Sequence, residues 1–431
     1  MAKKIKNKAL KPLSRSVSII GVGATPYMYT MDNPDTEGLS DLEMFGAAAI
    51  EAMKDAGITA KDVEFYYSTC AMPALQGGYI TPNAQYSSWF GMKGKASAHH
   101  SEACCSGYIA LEQAVMAVAS GTYDIVLSGG CDMSWSLATP RKPSYMRRQF
   151  DNDLYISEGL DKLYSKDYAA PSLGANPLVC DSWLDSYVKE NKLTADKIDD
   201  VLCQLSIDCR RAAALNPRAL NDKTYAEEAA EVGMTDQEYI RSQYNPKFTR
   251  YLRVSNFELR CDGAAALIVC PTEMAYKYTD HPIEVLGTGH ATLNGMIGNL
   301  EKYATSGAYE QIKELTGLTG ADMDIFYAND FFNSSQLLAA EECEYLPKGE
   351  GWKYMLESRT AFDGDRPINT NGGRCQYGHA HGTSGLHDIF EAVKQLRGEM
   401  GRTQVKVDPQ YAMLRGFGGG QNVTVQILNK L

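Results

Sequence analysis

Hydrophobic positions along this chain alternate between short continuous apolar runs and longer stretches in which apolar residues recur every three or four positions. Runs of the first kind predict buried strands, and stretches of the second kind predict helices with one buried face. In the first part of the chain, the predicted elements are strands at 17–23, 63–68 and 124–129 and helices at 41–55 and 107–120. In the last part, they are strands at 265–270, 283–287, 324–329 and 411–427 and helices near 334–342 and 386–397. Strands and helices that alternate in this way indicate an α/β fold.

Length, charge and cysteine usage narrow the class of protein. A chain of 431 residues is long enough for two hydrophobic cores. The net charge of −11 argues against nucleic-acid binding, which requires a basic face, and no run approaches the roughly 18 apolar residues of a membrane span. The eleven cysteines form no paired metal-binding spacing and indicate a reducing compartment. We therefore expect a cytoplasmic protein without disulfides, nucleic-acid partners or membrane association.

The strongest chemical signal is the sequence Cys104-Cys105-Ser106-Gly107. It follows small and polar residues and precedes a stretch with helical spacing, so it places a thiol at the start of a buried helix. The unpaired N–H groups and the positive end of the helix dipole favour a thiolate there, which makes the cysteine a nucleophile. The alternative is that both cysteines are small core residues, as most free cysteines are.

Two distant segments supply the other groups that acyl transfer needs. A glycine-rich turn carries His379 and His381 and leads into a helix near Leu386. An apolar strand ends in Asn329-Asp330. A cysteine, an imidazole and a carboxamide on separate loops can form a thioester and stabilise the oxyanion that develops during its formation. Together the three segments favour catalysis over packing.

In these residues the chain resembles the thiolases. Within that family it is most similar to the branch related to sterol carrier protein 2 thiolase and to archaeal and bacterial acetyl-CoA acetyltransferases. The resemblance extends from about residue 16 to 430 and depends on the order and spacing of motifs more than on any one of them. The matching motifs are Ile19-Ile20-Gly21-Val22-Gly23, Cys104-Cys105-Ser106-Gly107, Asn216-Pro217-Arg218-Ala219, Cys261-Asp262-Gly263-Ala264, Asn329-Asp330-Phe331-Phe332, Gly378-His379 and Gly418-Gly419-Gly420.

The resemblance implies a duplicated thiolase fold with five layers, α/β/α/β/α, and an inserted covering loop domain. It divides the chain into a flexible tail at 1–15, an N-terminal half at 16–133 with 256–270, the covering domain at 134–255 and a C-terminal half at 271–431. Coenzyme A would be a substrate, with no covalently bound cofactor and no metal in this chain. The resemblance also implies at least a homodimer, and a small partner subunit with a zinc ribbon and an oligonucleotide-binding-type fold.

The resemblance assigns roles to individual residues. Cys104 would carry the acyl group as a thioester, whereas Cys105 would be a packing residue. His379 would activate Cys104 and help to hold the thioester oxygen. Asn329 would hold a water or donate directly to the same oxygen. The backbone N–H groups around Cys104 and Gly419 would form a second oxyanion hole.

Two departures from the family pattern bear on the chemistry. The usual Gly-His-Pro is here Gly378-His379-Ala380, with His381 following, and we expect His381 to be structural because alternating loop residues rarely converge on one atom. The second cysteine of thiolases, which shuttles the proton at the α-carbon, is replaced by Gly416. Either another group such as His379, His381 or a tyrosine moves this proton, or the leaving enolate needs less help, or the chain performs no carbon-carbon chemistry.

The function that follows is thiolase-type transfer of an acyl group to coenzyme A, with cleavage of a β-keto acyl-CoA. Gly416 would leave room beside the nucleophile, and with 26 tyrosines in the chain this favours an aromatic substrate such as 2-benzoylsuccinyl-CoA, cleaved to benzoyl-CoA and succinyl-CoA. Arg141 and Arg210 are candidates to bind coenzyme A phosphates, although solvated or paired arginines are the simpler interpretation. A ketosynthase-like condensing enzyme and a non-catalytic acyl-CoA-binding or scaffold subunit are the alternatives.

Overall fold

The computed structural model describes residues 10–71, 80–138, 176–292, 300–419 and 422–431. The strands in these ranges are β1 (Val17–Ala24), β2 (Phe65–Thr69), β3 (Ala96–His100), β4 (Val126–Met133), β5 (Asp262–Pro271), β6 (Ile283–Thr292), β7 (Ile325–Ala328), β8 (Tyr411–Gly418) and β9 (Asn422–Lys430). Every strand that the hydrophobic pattern predicts is present. The run at 411–427 is divided between the two strands of a hairpin, and β3 is an additional strand.

Helices occupy much of the same ranges. They are α1 (Asp41–Asp55), α2 (Pro82–Trp89), α3 (Ser106–Ala119), α4 (Ser134–Ala138), α5 (Asn176–Glu190), α6 (Ala195–Leu215), α7 (Tyr225–Glu231), α8 (Asp236–Tyr239), α9 (Thr272–Ala275), α10 (Leu300–Thr316), α11 (Ser334–Glu342), α12 (Gly351–Leu356), α13 (Gly373–Gln376) and α14 (Ser384–Arg397). The predicted helices correspond to α1, α3, α11 and α14. None of the helices in the described ranges combines the length and apolar composition that crossing a membrane requires.

Hydrogen bonding joins the strands in the order β3-β2-β4-β5-β1-β6-β9-β8-β7. β2 pairs in parallel with β3 and β4, and β7 pairs in parallel with β8, whereas the other neighbours are antiparallel. The first five strands form one mixed half-sheet, and the last four form another. In the described residues the two half-sheets meet at β1 and β6, where residues 17–19 pair with residues 283–285.

Consecutive strand residues point to opposite faces of each half-sheet, and this alternation sorts the core into layers. Leu127 and Ile268 of the first half-sheet pack against α1, whereas their neighbours Val126 and Leu267 face α3 and α14. The second half-sheet covers the other side of α3 and α14, and its outer face packs against α10 and α11. The layers are therefore α/β/α/β/α, which confirms the predicted five-layer fold.

A glycine at a corresponding place in each half lets a helix lie directly on a strand. A Cβ at Gly23 of β1 would clash with the carbonyl oxygen of Ala48 in α1. A Cβ at Gly289 of β6 would clash in the same way with the carbonyl oxygen of Ala308 in α10. Any larger residue would push the helix away from its strand. The repeated contact is a structural trace of the duplication.

The N-terminal tail ends earlier than its predicted limit at residue 15. Residues 1–9 lie outside the described ranges. The guanidinium of Arg15, however, pairs with the carboxylates of Asp124 and Glu273, each at 2.7 Å. These contacts fix Arg15 to the body of the protein, so the tail does not include it.

Candidate active site

Cys104 lies in the turn between β3 and α3, two residues before the first residue of the helix. Ala103 has a φ of 49°, a left-handed conformation that is uncommon for a residue with a side chain. The hydroxyl of Ser106 closes the turn, because it donates to the carbonyl of Ala103 at 2.6 Å and accepts from the N–H of Glu102 at 2.7 Å. The turn therefore presents the half-buried Cys104 at the start of a buried helix.

The other two residues of the motif have packing roles. A Cβ at Gly107 would lie 2.6 Å from the backbone nitrogen of Leu386, so glycine lets α3 begin directly against the N-terminus of α14. Cys105 is fully buried, and burial raises the pKa of its thiol to about 12. Cys105 is therefore a protonated thiol in the core.

His379 lies on the loop before α14 and reaches the nucleophile. Its Nε2 is 3.3 Å from Sγ of Cys104, and its Nδ1 is 3.1 Å from the hydroxyl oxygen of Ser384. That oxygen accepts a hydrogen bond from the buried phenol of Tyr27 at 2.8 Å. Burial lowers the pKa of His379 well below its usual range, although the charge of Glu258 raises it. The imidazole is therefore neutral at neutral pH.

Asn329 brings the third loop to the same place. Its side-chain N–H group donates to the carbonyl of Phe417 at 2.8 Å and faces the carbonyl of Cys104 at 3.5 Å. Within the described residues its Oδ1 is buried without a hydrogen-bond partner. The structure thus brings together Cys104, His379 and Asn329, the three side chains that the sequence names as catalytic candidates.

A fourth group, Glu258, is absent from the sequence prediction. Its Oε2 lies 3.3 Å from Nε2 of His379, its Oε1 lies 3.6 Å from Nε2 of His381, and Arg260 donates to Oε1 at 3.2 Å. Burial raises the pKa of Glu258, but the hydrogen bond from His381 and the charge of Arg260 lower it, and the pKa lies below its usual range. Glu258 is therefore a carboxylate beside the imidazole that faces the nucleophile.

Backbone hydrogen bonds fix Glu258 between the other loops. Its N–H donates to the carbonyl of Phe331 at 3.0 Å, and the N–H of His379 donates to the carbonyl of Leu259 at 2.7 Å. The segment that carries Glu258 is thereby joined to the Asn329 loop on one side and to the His379 loop on the other. The available sequence signal was a single acidic residue between two apolar ones, shortly before a buried strand.

His381 takes part in this cluster, contrary to the expectation that alternating loop residues do not converge on one group. Its ring lies 4.9 Å from that of His379, centroid to centroid, at an interplanar angle of 83°. The reason is local: residues His381–Thr383 form a 3-10 turn, so positions 379 and 381 are not on opposite sides of an extended loop. Both imidazoles approach the same carboxylate.

The cluster also has a spacing that a divalent cation could use. The ligand atoms of Glu258, His379 and His381 lie within 4.8 Å of one another. However, Nε2 of His379 also faces the thiol of Cys104, and the carboxylate is already paired with Arg260. We therefore interpret the cluster as a set of paired charges and shared protons.

Of the two arginines predicted to bind substrate, the structure describes only Arg210. Arg141 lies outside the described residues. Arg210 is buried, pairs with Glu228, and donates to the carbonyl of Lys223 at 2.7 Å and to the side chain of Gln376 at 3.1 Å. Arg210 is thus a structural cation, which corrects the prediction that it binds a phosphate.

Gly416 does not open a space beside the nucleophile, contrary to expectation. A Cβ there would lie 2.5 Å from the ring of Tyr108 in α3, so that ring fills the volume. Gly419 has a φ of 57° in the turn after β8, and no described atom lies within 4 Å of where its Cβ would be. Gly418 packs more closely, since its Cβ would lie 2.6 Å from the carbonyl oxygen of Glu102. The final glycine-rich loop therefore contacts the nucleophile turn through Gly418.

Comparison with known proteins finds relatives over most of the chain. Residues 17–172 match the thiolase N-terminal domain, and residues 290–430 match the thiolase C-terminal domain-like family. The chain is 28% identical to an acetyl-CoA acetyltransferase of Methanothermobacter thermautotrophicus over 427 residues, which cover 96% of this chain and 100% of the relative. It is 27% identical to the benzoylsuccinyl-CoA thiolase subunit BbsB of Thauera aromatica over 416 residues, which cover 95% of this chain and 96% of the relative.

A solved structure has the same fold. The Ltp2-ChsH2(DUF35) aldolase superposes with a TM-score of 0.74 at 19% sequence identity. The match covers 97% of this chain and 99% of that one. The shared fold therefore extends over both halves of the chain.

Proposed function

The chain belongs to the thiolase superfamily and is an acyltransferase of that superfamily, and from this premise we propose that it cleaves a β-keto acyl-CoA with coenzyme A through a thioester on Cys104. One observation carries the proposal: Sγ of Cys104 lies 3.3 Å from Nε2 of the neutral His379, at the start of a buried helix. A thiol placed in this way is suited to nucleophilic attack on a carbonyl carbon.

The proposed reaction has two halves. In the first, Cys104 attacks the β-carbonyl carbon, the bond between the α- and β-carbons breaks, and a shorter acyl-CoA leaves. In the second, the sulfur of coenzyme A attacks the thioester and releases Cys104. The Nε2–H of His379 and the amide of Asn329 would donate to the substrate oxygens, with backbone N–H groups of Cys104 and Gly419 as further donors. Each such donor typically contributes about 3 to 4 kcal/mol to transition-state stabilisation.

An aromatic acyl group is the substrate class we propose, with 2-benzoylsuccinyl-CoA as its first representative. The relative BbsB, 27% identical, supports this choice. The aromatic rings near Asn329 add no support: Phe331 and Phe417 stack at 5.3 Å, Trp183 packs edge-on against Phe417 at 6.2 Å, and all three are buried in the core.

We further propose a homodimer and a separate partner subunit. β3 lies at one end of the described sheet order and leads directly into the Cys104 turn, so its free edge could pair with that of a second copy. The relative BbsB is named a subunit, and the solved aldolase is named for two components, Ltp2 and ChsH2(DUF35). By analogy, the partner of this chain would be a small zinc-ribbon and oligonucleotide-binding-fold protein.

A thiolysis screen tests the function. The chain is incubated with coenzyme A and a series of aliphatic and aromatic β-keto acyl-CoAs, with and without a co-encoded small zinc protein, and products are measured by chromatography. Mass spectrometry of the intact protein then detects an acyl adduct on Cys104. Cleavage with an adduct supports the proposal. Condensation without cleavage would favour a ketosynthase, and binding without an adduct would favour a non-catalytic subunit.

A further inference from the structure

Gly416 leaves this chain without the cysteine that usually moves the proton at the α-carbon, and the structure offers a different group. We propose that Glu258 is the catalytic acid and base: it takes the proton of the Cys104 thiol and delivers it to the α-carbon of the leaving acyl-CoA. The inference rests on the proposed function, because it assigns a proton carrier to that reaction. Three features support it: the hydrogen bonds of His379, the position of the carboxylate and the balance of protons.

The carboxylate beside His379 favours the tautomer in which Nε2 carries the hydrogen. The Ser384 hydroxyl accepts from the phenol of Tyr27 at 2.8 Å and keeps its own hydrogen, which it can donate to Nδ1 of His379, 3.1 Å away. Nε2 then carries the hydrogen, which suits the carboxylate oxygen of Glu258 at 3.3 Å. The opposite tautomer would set the lone pair of Nε2 against the carboxylate of Glu258.

This tautomer changes the role of the histidine. A neutral imidazole with hydrogen on Nε2 cannot accept the thiol proton at that nitrogen, although Nε2 is the atom that faces Cys104 at 3.3 Å. It can donate to the thiolate and to a substrate oxygen instead. The thiol proton therefore needs another acceptor. Oε2 of Glu258, 3.3 Å from the same nitrogen, has lone pairs that can accept this proton.

The position of Glu258 suits contact with substrate. The side chain of His379 is 0% exposed, whereas that of Glu258 is 19% exposed. Of these two groups, the carboxylate is thus the one with surface open to an incoming molecule. Its backbone is held by the hydrogen bonds to the Phe331 and His379 loops, so the carboxylate keeps its place while it exchanges a proton.

One carboxylate can carry the protons that are transferred in both halves of the reaction. When Cys104 attacks, its proton moves to Glu258. As the bond between the α- and β-carbons breaks, its electron pair forms the enolate of the departing acyl-CoA, and the same proton passes from Glu258 to the α-carbon. Glu258 then accepts the proton of the coenzyme A thiol, whose sulfur attacks the thioester, and returns a proton to Cys104 as its sulfur leaves. No further reactant is required.

The test compares Glu258→Gln with Glu258→Asp and with Glu284→Gln as a matched control. Glu284 is a half-buried glutamate on β6 that accepts a hydrogen bond from Asn429, outside the candidate site. Three rates are measured: thiolysis of the β-keto acyl-CoA that the wild type cleaves fastest, acylation of Cys104 by the product acyl-CoA, and exchange of α-hydrogens of the departing acyl-CoA with D2O.

We expect Glu258→Gln to lose about 10²- to 10⁴-fold in thiolysis and in α-hydrogen exchange. Raising the pH should restore acylation of Cys104 but not exchange, because hydroxide can replace the base for the thiol whereas nothing replaces the donor to carbon. Glu258→Asp should be intermediate, and Glu284→Gln should match the wild type. This pattern separates proton transfer from a loss of folding.

Three results would overturn the inference. Glu258→Gln with near wild-type exchange would show that another group carries the proton. Acylation and exchange that fall together at every pH would leave Glu258 with a positioning role only. One equivalent of bound metal in the wild type, lost in Glu258→Gln, would assign the cluster to a cation. A wild type that neither cleaves any substrate nor forms an adduct would instead contradict the proposed function.

Discussion

Sγ of Cys104 and Nε2 of His379 lie 3.3 Å apart, although 275 positions separate the two residues in the chain. Cys104 is placed by the turn between β3 and α3, and His379 by the loop that leads into α14. These two helices pack side by side in the middle layer of the fold. The candidate site therefore depends on how closely the starts of the two helices approach each other.

Substitution by alanine should affect thiolysis very differently at the two adjacent cysteines. Cys104→Ala removes the proposed nucleophile and should lower thiolysis by about 10⁴-fold or more. Cys105→Ala removes a buried, protonated thiol and should leave most of the activity. Thiolysis rates and the mass of the acyl adduct measure both effects. If the alanine at 105 were the inactive one, the assignment of the nucleophile would be wrong.

Asn329→Ala should impair catalysis through two losses at once. The substitution removes a proposed donor to the substrate oxygen and the 2.8 Å hydrogen bond to the Phe417 carbonyl. We expect kcat to fall by about 10²- to 10³-fold, as for the loss of one oxyanion donor. Steady-state kinetics with the best substrate of the screen give the value. An unchanged kcat would exclude Asn329 from the transition state.

Gly107→Ala should destabilise the whole fold. The added Cβ would lie 2.6 Å from the backbone nitrogen of Leu386 and 2.8 Å from the carbonyl oxygen of Gly382. Because both are main-chain atoms, α3 and α14 would have to separate, at a cost of about 1 to 3 kcal/mol in the free energy of unfolding. Urea unfolding measures this cost. A wild-type midpoint would mean that the two helices are not tightly apposed.

Glu391→Gln should flatten the pH dependence of stability. Glu391 is fully buried on α14, and burial raises its pKa to about 7, even though Asn216 donates to it. A carboxyl group whose folded pKa is raised stabilises the fold at low pH, and this contribution is lost as the pH rises through the folded pKa. The loss amounts to about 1.4 kcal/mol per pH unit between roughly pH 5 and 7.

Melting temperatures of the wild type, Glu391→Gln and the control Glu284→Gln, recorded from acid to mildly alkaline pH, test this prediction. The Tm of Glu391→Gln relative to the wild type should rise with pH over that interval. The control should follow the wild type. Parallel curves for all three proteins would mean that Glu391 does not titrate in the folded state near pH 7.

Local patterns predicted much of the fold. β1, β4 and β5 are rich in apolar and small residues and are buried on both faces. The amphipathic periodicity of α14 corresponds to a helix that contacts both half-sheets. β3 was missed because its residues are small or polar and only half-buried at a sheet edge, so hydrophobicity gives no signal there. The repeated glycine contacts of Gly23 and Gly289, by contrast, became visible only in the structure.

The candidate site was only partly predictable, for physical reasons. Cys104, His379 and Asn329 occur in motifs whose spacing indicates chemistry. Glu258 occurs in no such motif, and its role depends on two imidazoles that approach it only in the folded chain. Gly416 shows the opposite case: a missing side chain predicts space, yet the ring of Tyr108 from another element occupies it. The surroundings of Glu258 and the filled space at Gly416 both depend on residues far away in the sequence, so neighbouring residues could not predict them.

The middle layer has a consequence for synthesis of the protein. α3 comes from the first half of the chain and α14 from the second, and the inner faces of both half-sheets are covered by the two helices together. A nascent chain that has reached only β5 therefore exposes one side of its apolar strands to water until more than a hundred further residues have left the ribosome. Unfinished chains are the form most prone to aggregate, and a chaperone that holds the N-terminal half should raise the yield more than one that acts on the finished protein.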